Sequence, residues 1–99
     1  MTPEGRVKNK VKLLLGQAGA YYFMPATGGY GASGVPDIIA CLKGKFIAIE
    51  CKSGDNKPTA LQLQQLYDIE YCGGIALVVT EKNINEFERI LNESVEGTK

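Results

Sequence analysis

Two acidic residues stand where their neighbours predict apolar ones. Asp37 opens the run Asp37 to Leu42 (DIIACL) directly after Pro36, and Glu50 lies inside Phe46 to Lys52 (FIAIECK). Both runs read as β-strands. Strand side chains alternate, so Phe46, Ala48, Glu50 and Lys52 share one face and Ile47, Ile49 and Cys51 the other. A buried carboxylate without a partner is costly, so Glu50 needs a cation. Lys52 is the simplest one, and a strand-end ion pair is the plain reading of Glu50 and Lys52 alone. The turn Lys43-Gly44-Lys45 between the runs extends the argument. A two-residue loop Gly44-Lys45 sets Asp37 opposite Lys52, diagonal to Glu50; a loop Lys43-Gly44 sets Asp37 opposite Glu50 itself. A three-residue loop without a bulge would turn Asp37 to the wrong face. Two carboxylates brought this close repel each other unless a cation sits between them. A hard divalent ion suits them, since Mg²⁺ takes one or two carboxylates together with waters and phosphate.

Two more polar residues point the same way. Glu4 precedes Val7 and Val11 by three and seven residues, which places it on the inward face of a first helix. It is either a favourable partner for the helix N-terminus or a member of the site. Gln62 precedes Leu66 and Ile69 by four and seven residues and so faces the sheet, as a buried amide or as part of the site.

The rest of the composition narrows the chemistry. The chain has 99 residues and no histidine, which excludes Ser-His-Asp and Cys-His nucleophiles, imidazole zinc sites and a histidine pH switch. Its length predicts one domain, residues 1–99, with a tail frayed from about residue 96. Hydrophobic residues at 44% and charged residues at 22% argue against wholesale disorder. The three cysteines, Cys41, Cys51 and Cys72, are odd in number and not in a C-x-x-C pattern, so a disulfide framework is not expected. Cys41 and Cys51 read as small buried hydrophobes in a reducing cytoplasm. With no apolar run near the roughly 18 residues of a membrane span and no signal peptide, a soluble intracellular protein is expected. Net charge is zero, but unevenly spread. Residues 1 to 57 carry eight lysines and arginines against four acids, and residues 58 to 99 carry three against seven. A basic half of this kind suits contact with a polyanion.

The elements that must hold these residues follow from local pattern. Thr2-Pro3-Glu4 starts a helix that Gly16 or Gly19 ends. Ala20 to Met24 is a short strand, and residues 25 to 35 a loop with four glycines. The two strands of the hairpin follow. Thr59 caps a second helix reaching about Tyr71. Ile75 to Thr80 is a near-continuous apolar run, which suits a strand covered on both faces. Asn83 starts a last helix with Ile84, Phe87, Leu91 and Val95 on one side. The order αβββαβα predicts an α/β fold, a mixed β-sheet flanked by helices.

In that order the motifs resemble the PD-(D/E)XK nuclease superfamily, with its restriction-endonuclease-like αβββαβ core, here with an extra C-terminal helix. The closer resemblance is to the VRR-NUC domain family, in its standalone, Holliday-junction-resolvase-like form. Glu4, Gly34-Val35-Pro36-Asp37, Glu50-Cys51-Lys52 and Gln62 match its motifs. The likeness spans roughly residues 3 to 80, and Cys51 stands where valine is common. The resemblance implies metal-dependent endonucleolytic hydrolysis of DNA, with branched DNA such as Holliday junctions as substrate and a homodimer as the working form. Asp37 and Glu50 would bind Mg²⁺ or Mn²⁺, with the Cys51 backbone carbonyl as a third ligand. Glu4 would hold a water at the metal or a second metal. Lys52 would orient or help deprotonate the attacking water and stabilise charge on the phosphate, and Gln62 would position Lys52 or the water. A compact nuclease of this type would suit DNA repair or recombination in a phage or mobile element.

Other residues are candidates for contact with nucleic acid. Lys8, Lys12, Lys43, Lys45 and Lys57 could meet phosphates, and Tyr30, in the loop Thr27 to Gly34, could stack or wedge at a branch. That loop lacks the Gly-Lys-Ser/Thr ending of a phosphate-binding loop, so no nucleotide cofactor is expected. The alternative function is a non-catalytic DNA-binding module that keeps the nuclease fold. A binder has no need of acids facing phosphate, and a purely structural domain would leave two carboxylates on an apolar face unexplained.

Overall fold

The computed structural model describes residues 1–26 and 34–96 of the chain, and side chains as far as residue 93. The glycine-rich segment with Tyr30, the Val95 side chain and the tail lie outside the described residues. Seven elements follow in the expected order: α1 (Pro3–Ala18), β1 (Tyr21–Phe23), β2 (Ile38–Leu42), β3 (Lys45–Cys51), α2 (Ala60–Tyr71), β4 (Ile75–Val79) and α3 (Ile84–Glu96). Local chemistry explains the ends of the helices. The Thr2 hydroxyl accepts the Gly5 N–H, Pro3 occupies the first turn of α1, and Gly19 closes that helix in the left-handed conformation.

The four strands form one mixed sheet in the order β1-β2-β3-β4. β1, β2 and β3 are antiparallel, while β3 and β4 are parallel and joined through α2. This architecture is compatible with the restriction-endonuclease-like fold. Leu42 pairs with Lys45, so the hairpin loop is the two-residue Lys43-Gly44. Both loop residues have positive φ, 52° and 82°, as a type I′ turn requires. This is the register that sets Asp37 opposite Glu50, one step beyond the last pair, Ile38 with Ile49.

One sheet face is packed by α1 and α3. Val7, Val11, Leu14 and Leu15 of α1, and Phe87 and Leu91 of α3, join Ile38, Ala40, Leu42, Ile47, Ile49, Cys51 and Val79 in the core. The apolar side of α3 is thus used in covering the sheet. On the other face α2 packs chiefly over β4 and β3. Tyr21, Cys41 and Phe46, aligned across β1, β2 and β3, all remain exposed. Cys41 therefore departs from the buried residue expected of its apolar run: its side chain falls on the half-face that no helix reaches. β4 differs too. It is an edge strand paired only with β3, and of its residues Val79 alone is fully buried.

Two loop contacts close the end of the sheet nearest Asp37. Glu81 accepts the Gly54 N–H, and Lys82 pairs with Asp55. On the opposite flank, Gly34 has φ +80° and lies against the first turn of α2. A Cβ there would stand 2.5 Å from the Leu61 carbonyl carbon and 2.7 Å from the Gln62 nitrogen. Gly34→Ala would meet both an unfavourable left-handed backbone and rigid main chain, at a cost of about 2–4 kcal/mol. Urea unfolding should show that loss, and an alanine variant as stable as wild type would contradict the close approach.

Candidate active site

The site forms at the end of the hairpin opposite the turn. Asp37 lies just outside β2, yet its carboxylate still belongs to the sheet: Oδ2 accepts the Cys51 N–H at 2.9 Å. This bond caps the ladder one step past its last residue pair. It leaves Oδ1 turned toward Lys8 of α1, whose Nζ is 3.8 Å away.

Glu50 is only 1% exposed and is the one buried charged residue among those described. Its Oε2 accepts the Gln62 Nε2–H at 2.9 Å and faces Lys52 Nζ at 3.7 Å. Its Oε1 is buried with no hydrogen-bond partner among the described residues. Gln62 is aimed by helix capping. The Thr59 hydroxyl accepts the Gln62 N–H, and Gln62 Oε1 accepts the Thr59 N–H at 2.8 Å. With its oxygen held in this capping box, the amide can only present nitrogen to Glu50. Each acid thus has one oxygen anchored by a hydrogen bond; of the other two, Asp37 Oδ1 is paired with Lys8, and Glu50 Oε1 has no donor among the described residues, the two carboxyl groups lying close enough for a protonated Glu50 to hydrogen-bond to Asp37.

The electrostatics follow from burial. The Glu50 carboxyl is pushed up to about 7, first by loss of solvent and next by the charge of Asp37, with Lys52 opposing the shift. Glu4 adds a smaller repulsion of the same sign. The pocket therefore favours a Glu50 that is either protonated or bound to a cation. The Cys51 thiol is fully buried in the core and pushed up to about 12, again chiefly by burial, so it offers no thiolate near neutral pH.

The structure brings Asp37, Glu50, Lys52 and Gln62 together. It differs from expectation in detail. Gln62 bonds to Glu50 rather than to Lys52. Glu4 is half-buried in the first turn of α1, and among the described residues no three of the acids and cysteines gather as a metal-holding group. The side chain of α1 that reaches Asp37 is Lys8, one turn after Glu4, so Glu4 acts on the pair only through its charge. Lys8, a candidate for contact with phosphate, faces an acid of the site. The available signal was its spacing of four residues from Glu4, which sets both on one helix face.

The remaining candidates are spread out. Lys12 lies half-buried a further turn along α1, and Lys57 is exposed on the segment between β3 and α2. Lys43, in the turn, and Lys45, just after it, lie at the far end of the hairpin, about 20 Å from Asp37 at the usual strand rise. They cannot touch the phosphate that Asp37 would face. For a metal, the test is the donor set. Two carboxylate oxygens without other partners than a displaceable lysine, with no imidazole or thiolate among them, fit a hard divalent cation.

A sequence model of the family described as archaeal Holliday junction resolvase (hjc) matches residues 6–93. The chain therefore belongs to that family, and with it to the Holliday-junction-resolvase-like nucleases, of PD-(D/E)XK type. The match does not extend to the narrower VRR-NUC resemblance. No curated protein matches the chain. Among the described residues no helix is long and apolar enough to cross a membrane.

Glu50 gives the metal-free protein a specific pH dependence. Its folded value, about 7, lies above the ordinary 4.5, so the native state holds a proton that the unfolded state releases. The contribution is complete below pH 4.5 and is lost as pH rises through 7. At about 1.4 kcal/mol per unit, roughly 2–3 kcal/mol should disappear across that window. Urea unfolding in EDTA from pH 4.5 to 8 should show the decline, and Glu50→Gln should flatten it. An unchanged slope in the variant would refute the assignment to Glu50.

Proposed function

We propose that this member of the Holliday junction resolvase family is an Mg²⁺- or Mn²⁺-dependent endonuclease that cuts branched DNA. Residues 1–99 would act as one nuclease unit, working as a homodimer. The observation that carries the reading is the pair of spare oxygens, Asp37 Oδ1 and the buried Glu50 Oε1, on acids that otherwise repel each other. The order of Glu4, Gly34-Val35-Pro36-Asp37, Glu50-Cys51-Lys52 and Gln62 also supports a kinship with VRR-NUC domains.

In this reading Asp37, Glu50 and the Cys51 carbonyl hold the cation. Its chemistry when bound is that of a Lewis acid, which also lowers the pKa of water. The protein groups do the positioning. Lys52, 14% exposed and beside Glu50, orients the attacking water and stabilises negative charge on the phosphate as one phosphorus–oxygen bond forms and another breaks. Gln62 fixes the Glu50 carboxylate through the helix cap. Glu4 lends a third negative charge that favours a cation over none. DNA would approach the face bearing Lys8 and Lys12.

The dimer is supported by what α2 leaves bare. Tyr21, Phe23 and Phe46 are 72%, 47% and 47% exposed on one half of the sheet. Tyr21 and Phe23 lie 6.4 Å apart between ring centres. Contiguous apolar surface of this kind marks an interaction site.

A cleavage assay tests the proposal, using a four-way junction, flap, duplex and single strand with Mg²⁺, Mn²⁺ or EDTA. Metal-dependent cutting of the branched substrates is expected. Asp37→Asn and Lys52→Ala should lose roughly 100-fold or more in rate, and Gln62→Ala roughly 10-fold, as for residues that orient ligands. Tight binding with no cutting by wild type would favour a non-catalytic module. For the dimer, sedimentation at micromolar concentration is decisive: a lone 10.7 kDa species would exclude it.

A further inference from the structure

Two lysines pair with the two acids, and they pair differently. Lys52 faces Glu50 Oε2, the oxygen that Gln62 already anchors. A cation taking Oε1 therefore leaves Lys52 where it is. Lys8 faces Asp37 Oδ1, whose sister oxygen is occupied by the Cys51 N–H. Any cation that binds Asp37 through its spare oxygen must compete with the Lys8 ammonium for that same atom. Burial differs as well. The Lys8 side chain is 34% exposed against 14% for Lys52, so it can swing toward solvent without crossing the core.

We propose that Lys8 is a resident counter-ion that couples metal binding to DNA binding. Without metal it neutralises Asp37. When a divalent cation takes Oδ1, the ammonium is released to the solvent side of α1, where Lys12 lies four residues on and on the same face. That shared face is only half-buried at both lysines, so the freed ammonium can turn outward along it to meet a backbone phosphate. Metal thus creates a DNA contact, and by linkage DNA favours metal by the same factor. The inference rests on the metal-site reading above and adds to it a residue that holds the site when it is empty and acts elsewhere when it is full.

Calorimetric titration of Mn²⁺ into the DNA-free protein is the direct test, with circular dichroism to show that each variant is folded. Lys8→Ala removes the competitor and should bind Mn²⁺ roughly three- to fivefold more tightly, the range a partly exposed ion pair supports. Lys8→Arg should keep wild-type affinity, and Lys12→Ala should stay within about twofold of it, which separates direct competition from general charge. Fluorescence anisotropy with a four-way junction reads the other half. Ca²⁺ should tighten wild-type binding relative to EDTA, and Lys8→Ala should lose most of that gain. Mn²⁺ affinity unchanged or weakened in Lys8→Ala, or raised equally in Lys12→Ala, would overturn the role of Lys8 alone. Absence of Mn²⁺ binding by wild type, with Asp37→Asn indistinguishable from it, would overturn the metal site as well.

Discussion

A carboxylate taken out of water is the constraint on which this structure turns. Glu50 sits on the third of four strands, 1% exposed, with a second acid beside it. Gln62 and Lys52 satisfy one of its oxygens, and the other has no donor among the described residues. A proton or a cation can complete it, and these alternatives belong to different states of the protein. Burial and the neighbouring Asp37 shift the metal-free protein toward the protonated form. The ionised form is tolerable only with positive charge close by, because desolvation penalises it. Folding alone would favour an apolar residue here, so the acid is held at a cost to stability.

Short-range rules do most of the placing. The type I′ turn at Lys43-Gly44 decides which residue of β2 faces which residue of β3, six residues away from the turn itself. Asp37 then spends half its carboxylate on the Cys51 main chain, which locks its direction. Gly34, without a Cβ, lets the segment ahead of Asp37 lie against the first turn of α2, the turn that carries Gln62. Two segments distant in sequence are thereby held as one rigid corner.

Most of this corner was legible before any coordinates. Alternation placed Asp37, Glu50 and Lys52 on one face, and turn length left two registers, of which the observed one is the more direct. The helix starts at Thr2 and Thr59 were readable from capping chemistry, since that chemistry is local. What escaped depended on neighbours that a sequence does not name. Cys41 lies in an apolar run yet is exposed, because α2 covers only half of its sheet face. β4 has the composition of a central strand but stands at the edge. Lys8 looked like a surface lysine until the packing of α1 set it against Asp37. Glu4, on the same face one turn earlier, acts on Glu50 through its charge.

The double duty of Gln62 restricts what that position can become. As the third residue of a capping box it could be glutamate, which serves a helix N-terminus as well or better. Beside Glu50, glutamate would lack a hydrogen to donate and would add negative charge where burial already disfavours it. Asparagine keeps the donor but is one methylene too short to span from its own cap to the strand. Glutamine alone among the common residues satisfies both helix and acid. A homologue with glutamate at this position would therefore signal that its buried acid had been replaced, so that one letter reports on the state of a neighbouring strand.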